Sequence, residues 1–373
     1  MSVEIKEVKT KSDIKKFVEF QFTLYKGDKF WVPPIKSDEI KLLMPEKNPA
    51  FEFCDTKFFL ALKSGKVVGR VGAIINHPYN EKVNEKLVRI SRIEFVDDEE
   101  VFDSLIEAVV KFGKENGMTK IHGPLGFTNL DTQGLLVEGF EFLPSIGSTY
   151  HKIYYKKHFE RLGFKKEIDW IEFRLTLVEQ AIKKAKRGAE LLKKRYGFKV
   201  IRFSSRKEMK QYSYKIFDIL NDAFRDLPFV IPFNEKLAKF YIDKYFNILN
   251  HNFVRVVFDK DEKLIGFVVG LPSLSEAMQK ANGKLFPFGF WYILKALKNP
   301  KTIDLLLTGV AKEYHNSGVA VLLFADLQEQ MLKMGIKTME TTGIFETNGS
   351  AISNWKNYDH IQHKRRRCFI KEI

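Results

Sequence analysis

The two halves of the chain repeat one pattern of apolar strands and glycine-terminated helices. Phe58–Ile75 (FFLALKSGKVVGRVGAII) and Val254–Leu271 (VRVVFDKDEKLIGFVVGL) each predict two strands joined by a short polar turn. Leu105–Gly123 and Leu322–Gly343 each predict a helix that stops at a glycine and returns into a strand. The simplest explanation for a hairpin, a helix and a returning strand that occur twice is a duplicated domain. The sequence therefore predicts two tandem domains of mixed α/β structure.

A basic, helix-favouring segment separates the two halves. Residues 179–197 are rich in lysine and arginine, and a chain of 373 residues is too long for one ordinary core. We place a first domain at 1–178, a linker helix at 179–197 and a second domain at 198–373. The basic run could contact nucleic acid, although a solvated helix face is the more common use of such a run.

Charge and cysteine content restrict the class of protein. The formal net charge of +15 favours anionic partners such as nucleic acid, membrane headgroups or a polyphosphate ligand, beside the plain alternative of a basic, solubilising surface. Cys54 and Cys368 are the only cysteines, and neither lies in a Cys/His cluster. This pattern argues against a disulfide framework and predicts no metal site. It also favours the cytoplasm, and the lack of a long apolar segment favours the same location.

The strongest local signal is a strand, a turn and a helix within Thr302–Met334. An apolar strand enters the turn HNSGVA, and an amphipathic helix begins at once. A helix N-terminus offers unpaired backbone N–H groups and the positive end of the helix dipole, so it suits a pyrophosphate. Gly318 allows a close backbone approach, and Asn316 and Ser317 are good capping residues or phosphate donors. Taken alone, a glycine after a strand is also what a plain turn requires.

This segment resembles the coenzyme-A-binding motif of the GNAT (GCN5-related) acyltransferases, Q/R-x-x-G-x-G/A, with His315 where Gln or Arg is usual. Downstream, Asn348, Ala351 and Trp355 resemble the family's Asn-x-x-Ala-x-x-x-Tyr element. The resemblance covers about residues 198–373 and, more weakly, the first half. It implies an α/β (α+β) fold of two tandem GNAT-like domains, each a mixed, mostly antiparallel sheet flanked by helices, as in uncharacterised bacterial double-GNAT proteins.

The resemblance also implies a donor, either acetyl-CoA or a longer acyl-CoA. In the family the fifth strand of the domain splays from the fourth, and the pantetheine arm of the donor lies in that opening. The positions that this implies for the pantetheine arm are Leu307, Thr308, Gly309 and Val310. Those implied for the pyrophosphate are His315, Asn316, Ser317, Gly318, Val319 and Ala320, and Asn348 follows the fifth strand.

The acid and base of an acyl transfer are less well marked. The family's usual general-acid Tyr falls on Trp355, which cannot protonate a leaving thiolate, and Tyr358 about one helical turn further is the substitute. An amine nucleophile must lose a proton, and Glu340 and Glu346 beside the fifth strand are the candidate bases, ahead of Glu313. Each of these carboxylates is more commonly an ordinary surface group than a base.

The first half lacks the glycine turn. Asp97–Glu100 place four carboxylates at the start of its helix, where they would repel a pyrophosphate, so we interpret this half as a copy that does not bind coenzyme A. Its glycine-rich segment Ile121–Gly147 carries Asn129, Asp131 and Gln133. These could bind the acceptor substrate, or they could knit a long loop through Asx turns.

Residues 273–300 form an insertion between the second hairpin and the strand that follows it. The aromatic run within residues 285–297 could bind a fatty acyl chain, lie on a membrane surface, or pack as an extra helix. The basic run His363–Arg367 near the C-terminus could meet a phosphate of coenzyme A or RNA, and a charged edge strand is the simpler interpretation.

Three functions fit these observations. The first is an acyl-CoA-dependent N-acyltransferase that acts on a small-molecule amine. The second is a tRNA-dependent aminoacyl transferase of tandem-GNAT type, which the basic charge would suit. The third is a binding protein that keeps the fold without the reaction, in line with Trp355 in place of Tyr.

Overall fold

The computed structural model describes residues 2–355 and 358–373. The strands are β1 (Glu4–Glu7), β2 (Cys54–Lys63), β3 (Lys66–Asn76), β4 (Leu87–Phe95), β5 (Lys120–Gly123), β6 (Leu135–Glu138), β7 (Lys165–Thr176), β8 (Lys199–Arg202), β9 (Val254–Phe258), β10 (Leu264–Pro272), β11 (Thr302–Val310), β12 (Thr338–Thr341), β13 (Ile344–Phe345) and β14 (Asp359–Glu372).

The α-helices are α1 (Lys11–Leu24), α2 (Lys36–Leu42), α3 (His77–Val83), α4 (Glu99–Glu115), α5 (Tyr155–Arg161), α6 (Glu179–Tyr196), α7 (Arg206–Gln211), α8 (Ser213–Phe224), α9 (Glu235–Tyr245), α10 (Ser275–Ala281), α11 (Gly289–Lys298), α12 (Val319–Lys333) and α13 (Gly349–Ser353). None of the helices in the described part of the chain is both long enough and apolar enough to cross a bilayer.

The chain groups into two compact units whose boundaries differ from the predicted division. Unit 1 contains Met1–Trp170, Ser275–Ile293 and Lys364–Ile373, and unit 2 contains Ile171–Leu274 and Leu294–His363. The predicted linker at 179–197 is a helix that belongs to unit 2. Most of the predicted insertion, and the C-terminal ten residues, belong to unit 1 because their hydrogen-bond partners lie there.

Unit 1 is a sheet covered by a long amphipathic helix. Strands β1 to β4 pair antiparallel in sequence order, β4 pairs parallel with β5, and the C-terminal part of β14 pairs antiparallel with β5 and β6. Asp98 caps α4 by accepting from the N–H of Val101, and the apolar face of α4 is fully buried against the sheet through Val101, Phe102, Leu105 and Val109.

Unit 2 repeats this plan. Strands β8 to β11 pair antiparallel in order, β11 pairs parallel with β12, and β12 pairs antiparallel with the second half of β7. Helix α12 covers the sheet as α4 does in unit 1, with Leu322, Leu323, Leu327 and Met331 in the core together with Ile182 and Ala189 of α6. The repeated pattern in the sequence is therefore a repeated arrangement of strands and helix.

In unit 2 a bulge coincides with the end of the parallel strand pair. The register between β10 and β11 shifts between Val269 and Gly270, which leaves Leu306 as an extra residue on β11. The pairing of β11 with β12 ends at Leu305 opposite Thr341, although β11 runs on to Val310. Since a bulge bends and twists its strand, it accounts for the separation of the two strands at this point.

Candidate functional site

The first part of the candidate site is the free side of β11 beyond Leu305. The last links between the two strands are made by Thr342, whose N–H donates to the Leu305 carbonyl and whose hydroxyl donates to the Leu306 carbonyl, both at 3.2 Å. Within the described residues no strand pairs with Leu307, Thr308, Gly309 or Val310 on that side, while β10 pairs with them on the other. The four predicted pantetheine positions thus lie together where the sheet opens.

The second part is the turn that joins β11 to α12. After Ala311 donates to the Ile265 carbonyl, a short 3₁₀ turn (Lys312–Tyr314) leads into His315 and the residues that precede the helix. The Ser317 hydroxyl donates to the Tyr314 carbonyl at 2.6 Å, and the His315 Nε2 lies 3.0 Å from the Val310 carbonyl oxygen. Asn316 and Gly318 both have positive φ, +64° and +86°. The contacts of the Ser317 and His315 side chains hold the turn together.

No side chain among the described residues caps the N-terminus of α12. The first backbone N–H groups of this helix, from Val319 onward, therefore receive no side-chain cap and keep the partial positive charge of a helix start. Ser317 was predicted as a cap or a phosphate donor, but its hydroxyl is directed at Tyr314 instead. Anion binding at this helix start stays a prediction, and the Ser317 hydroxyl donates to the Tyr314 carbonyl.

Gly318 is required by its neighbour as well as by its backbone conformation. A Cβ at this position would lie 2.5 Å from Cδ1 of Leu192 on α6, closer than any real contact. The sequence predicted that the glycine would let a ligand approach, whereas the close contact in the structure is made with a leucine. Its effect is to seat the start of α12 directly against α6.

Ion pairs hold α12 in place further along its length. Asp326 accepts from Arg202 of β8 and Arg255 of β9, with shortest distances of 2.6 and 2.5 Å. Burial raises the pKa of Asp326, and hydrogen bonds from the two arginines more than offset this, so the pKa is lowered overall. Glu329 on the next turn binds Lys186 of α6 at 2.7 Å. Helix α12 is thereby fixed to two strands and to α6.

Glu340, a predicted base, is buried and paired. It lies on β12 opposite Asp304 of β11, one residue before the strands separate. Its Oε1 is 2.6 Å from Nη2 of Arg174, and its Oε2 is 3.5 Å from Nε2 of His363. The arginine keeps the carboxylate oriented at the point where the strands separate, and a role as base stays a prediction. Glu346, the other predicted base, is half-buried just after β13.

The remaining predicted residues follow β13. The Asn348 side chain caps α13 by accepting from the Ala351 N–H at 3.0 Å. Trp355 is buried against Phe324 at a ring distance of 4.8 Å, so it serves the core. Tyr358 donates from its hydroxyl to Oε1 of Gln328 on α12 at 2.9 Å, and burial raises the pKa of this phenol. Tyr358 therefore stays protonated at neutral pH, as a general acid must be.

Comparison with known proteins agrees with this architecture. No known family profile matches the chain. Among curated proteins it is 28% identical to protein YghO of Escherichia coli over 370 residues, covering 97% of this chain and 94% of that protein. It is 26% identical to the bacterial ceramide synthase of Caulobacter vibrioides over 377 residues, covering 98% and 96%.

Solved structures give the fold. A tandem GNAT protein from the clavulanic acid biosynthesis pathway superposes with a TM-score of 0.56 at 11% identity, over 100% of this chain and 98% of that one. A GCN5-related N-acetyltransferase from Sphaerobacter thermophilus superposes with a TM-score of 0.50 at 9% identity, over 99% and 95%. The chain has the tandem GNAT fold.

Two residues in the second GNAT-like unit were missed by the sequence analysis. Asp304 is fully buried on β11 in register with Glu340, and His363 of β14 is the residue that lies 3.5 Å from Glu340. A single carboxylate inside the apolar run TIDLLL was the available signal for Asp304, because an aspartate is rarely buried without a partner. For His363 the sequence offered no signal beyond its place in a basic run.

In the first GNAT-like unit, carboxylates of the chain itself occupy the N-terminus of helix α4. Asp98 caps α4, Glu100 accepts from the Val3 N–H at 3.1 Å, and Lys63 pairs with both at 2.7 and 2.9 Å. This start is occupied by the chain itself, in contrast to the start of α12. That the first half does not bind coenzyme A stays a prediction.

The three predicted acceptor residues lie in one loop of unit 1. Asp131 accepts from the Thr128 N–H at 3.1 Å, Gln133 donates to the Thr128 carbonyl at 3.2 Å, and Asn129 is half-buried. These bonds fit the loop-knitting interpretation for Asp131 and Gln133. An acceptor role for the three residues stays a prediction.

A buried polar cluster in unit 1 was also missed. Glu94 accepts from the hydroxyls of Tyr25 and Tyr155 at 2.6 and 2.7 Å, and Arg70 lies 3.8 Å away. Burial raises the pKa of Glu94, although Arg70 opposes the shift. The lone carboxylate in the strand segment RISRIEF was the signal for it.

Proposed function

We propose that the protein is an acyl-CoA-dependent N-acyltransferase whose second unit binds the acyl donor. The observation that carries the proposal is the continuity of Thr302–Ala320. A strand edge that pairs with no strand among the described residues leads directly to a helix N-terminus without a side-chain cap. An extended amide-containing arm that ends in a pyrophosphate needs these two features in this order.

The residues present fit such a donor. Backbone groups of Leu307–Val310 would hold the amides of the pantetheine arm, as a neighbouring strand would, and the N–H groups that follow Gly318 would hold the pyrophosphate oxygens. A bound acyl-CoA would supply the thioester that the reaction consumes. A strand N–H near the opening would polarise its carbonyl, which is the usual way to stabilise charge on an acyl oxygen.

Glu340 and Tyr358 are proposed as the base and the acid. The bond that forms joins the acceptor nitrogen to the acyl carbon, and the bond that breaks is the thioester C–S bond. Glu340 would take the proton that the amine loses, and Tyr358 would give a proton to the departing thiolate, so that protons balance. Arg174 would position Glu340, and Gln328 would position Tyr358.

The proposed acceptor is a long-chain amino alcohol, with a fatty acyl group as the donor chain. This is supported by the similarity to a bacterial ceramide synthase over nearly the whole of both chains. A ceramide is an N-acylated long-chain amino alcohol, so its formation is an N-acyl transfer of the proposed kind.

Donor binding is tested by thermal unfolding with coenzyme A, acetyl-CoA and palmitoyl-CoA. A donor at a hundredfold excess over its dissociation constant stabilises the folded state by about 2.7 kcal/mol, enough to raise Tm by several degrees. Gly318→Ala should abolish the shift, because a side chain there must displace Leu192 and the start of α12. Gly335→Ala is the matched control, because Gly335 also has positive φ (+75°) but has no atom near its Cβ position. Loss of the shift in both variants, or no shift in the wild type, contradicts the proposal.

Transfer is tested by the release of free thiol from palmitoyl-CoA in the presence of amines. A long-chain amino alcohol should support release, and a short diamine should not. The protein's own thiols, Cys54 and Cys368, are both buried, so they should add little background. Binding of tRNA that weakens with salt, without any donor-dependent shift, would favour the aminoacyl-transferase alternative instead.

A further inference from the structure

An exposed cluster of aromatic side chains lies at the start of α11 and on the turn before it. Phe286, Phe288, Trp291 and Tyr292 expose 77, 66, 62 and 40% of their surface, and we call these four residues the aromatic patch. Exposed aromatic residues that occur singly need no explanation, but four within seven residues form a continuous apolar feature. Such a feature usually marks a surface that meets an apolar partner.

The segment that carries the aromatic patch is anchored to unit 1. The Ser275 hydroxyl donates to the Pro144 carbonyl at 2.7 Å, and the Gln279 side chain donates to the Trp31 carbonyl at 3.0 Å. The Lys36 N–H donates to the Gly283 carbonyl at 3.0 Å. These bonds fix the backbone on the N-terminal side of the patch. The aromatic rings that follow are therefore exposed on a segment whose position is held by unit 1.

The charges in the sequence that carries the aromatic patch have one sign. Lys280 and Lys284 precede it and are exposed, and the sequence from Lys280 to Lys301 contains five lysines and no aspartate or glutamate. Neither Lys280 nor Lys284 forms an ion pair within the part of the chain that the structure describes. Many other lysines in the chain are paired, such as Lys36 with Glu19.

We propose that the aromatic patch docks unit 1 onto the surface of an anionic lipid bilayer. Phenylalanine rings can enter the boundary between headgroups and acyl chains, and Trp and Tyr favour that interface. Unpaired lysines beside the rings complement the negative headgroups, whereas an apolar protein surface would leave them without partners. The proposal goes beyond the transfer reaction, since it assigns a partner to a surface of unit 1 whether or not unit 2 transfers acyl groups.

The test is co-sedimentation of the full chain with phosphatidylcholine vesicles that contain or lack phosphatidylglycerol. The wild type should bind the anionic vesicles, and binding should fall as salt is added. Trp291→Ala should weaken the partition on the order of tenfold, because it removes the largest ring of the patch. Lys280→Glu/Lys284→Glu should weaken it by roughly tenfold or more by reversing the local charge.

Matched controls separate docking from general surface effects. Ile153→Ala removes a side chain that is 74% exposed elsewhere in unit 1, and Lys11→Glu/Lys15→Glu reverses two exposed lysines at the same spacing. Both should bind vesicles as the wild type does. Thermal unfolding should show all variants folded, which is expected for substitutions at exposed side chains.

Intrinsic fluorescence gives an independent readout. Of the four tryptophans, Trp31, Trp170 and Trp355 are at most 8% exposed, so Trp291 should account for any blue shift on adding vesicles. Absence of vesicle binding, or binding without a change in the Trp291 emission, overturns the proposal. So does self-association in solution that the Trp291 variant abolishes while vesicles have no effect.

Discussion

Glu340 accepts from both Nε and Nη2 of Arg174 through a single carboxylate oxygen, at 2.7 and 2.6 Å. The two residues face each other in the antiparallel register of β12 and β7. The pair lies one residue before β11 and β12 separate. A carboxylate that is held in one direction at this point can serve as an oriented base, because the second oxygen does not contact the arginine in the same way.

Glu340→Gln is expected to lower kcat by about 10²- to 10⁴-fold, the usual contribution of a general base. The amide keeps the shape of the side chain, so the donor-induced thermal shift should persist. The measurement is steady-state thiol release with palmitoyl-CoA and a long-chain amino alcohol. Full activity in this variant would remove Glu340 as the base and leave Glu346 as the remaining predicted carboxylate.

Arg174→Gln is the companion variant. It removes the ion pair while leaving the carboxylate, so stability should fall by roughly 1–2 kcal/mol because Arg174 is partly exposed. A positioning role predicts a partial loss of kcat with little change in the donor-induced shift. A loss as large as that of Glu340→Gln would mean that the two side chains act as one unit.

Tyr358→Phe is expected to lower kcat by about 10²-fold or more while stability falls by only about 1 kcal/mol, the cost of one hydrogen bond. Gln328→Met removes the same hydrogen bond but keeps the phenol, so it should retain most of the activity. Both are compared by thiol release and by thermal unfolding. Equal losses of activity in the two variants would show that the bond positions the helix and that the phenol has no chemical role.

The local parts of the site could be predicted from the sequence. The apolar strand, the turn at Gly318 and the helix that ends before Gly335 follow from residue types within a few positions of one another. The bulge at Leu306 could not be predicted in this way, because it depends on how β11 is paired with β10. That bulge is what separates β11 from β12, so the opening itself was expected only from the family resemblance.

The division of the chain into two units depends on contacts between residues far apart in the sequence, which no local pattern reveals. Ser275 bonds to Pro144 across 131 positions, and Lys364 bonds to Leu143 across 221. The C-terminal run was interpreted as a charged edge strand, which is wrong: β14 pairs with β5 and β6, and Arg365 and Arg367 bind the buried Asp169. Both arginines are therefore paired with a buried carboxylate inside unit 1.

Glu94→Ala is expected to destabilise unit 1 by about 3–5 kcal/mol, because Arg70 would remain buried without its carboxylate. Tyr25→Phe removes one of the two hydroxyls that donate to Glu94 and should cost about 1–3 kcal/mol. The measurement is urea unfolding followed by far-UV circular dichroism. A change below 1 kcal/mol for Glu94→Ala would mean that water reaches the cluster and replaces the carboxylate.

The pH dependence of stability should report the ion pairs that fix α12. Hydrogen bonding from Lys186, helped by Lys333 and Arg202, lowers the pKa of Glu329 from its usual 4.5 to about 2, although desolvation opposes the shift. A carboxyl whose pKa is lower in the folded state stabilises that state above its unfolded pKa, and the contribution is lost as pH falls toward the folded pKa. The stabilisation from Glu329 should therefore be complete above about pH 4.5 and vanish near pH 2.

The measurement is the difference in Tm between the wild type and Glu329→Gln. The wild type should be more stable at pH 7, and the difference should shrink steadily as pH falls from about 4.5 to about 2. Glu46→Gln is the control, since Glu46 is exposed and forms no ion pair with any residue that the structure describes, so its difference should stay near zero throughout. A constant difference for Glu329→Gln would show that the side chain acts through packing on α12 and that its charge contributes nothing to holding the helix on Lys186 and Arg202.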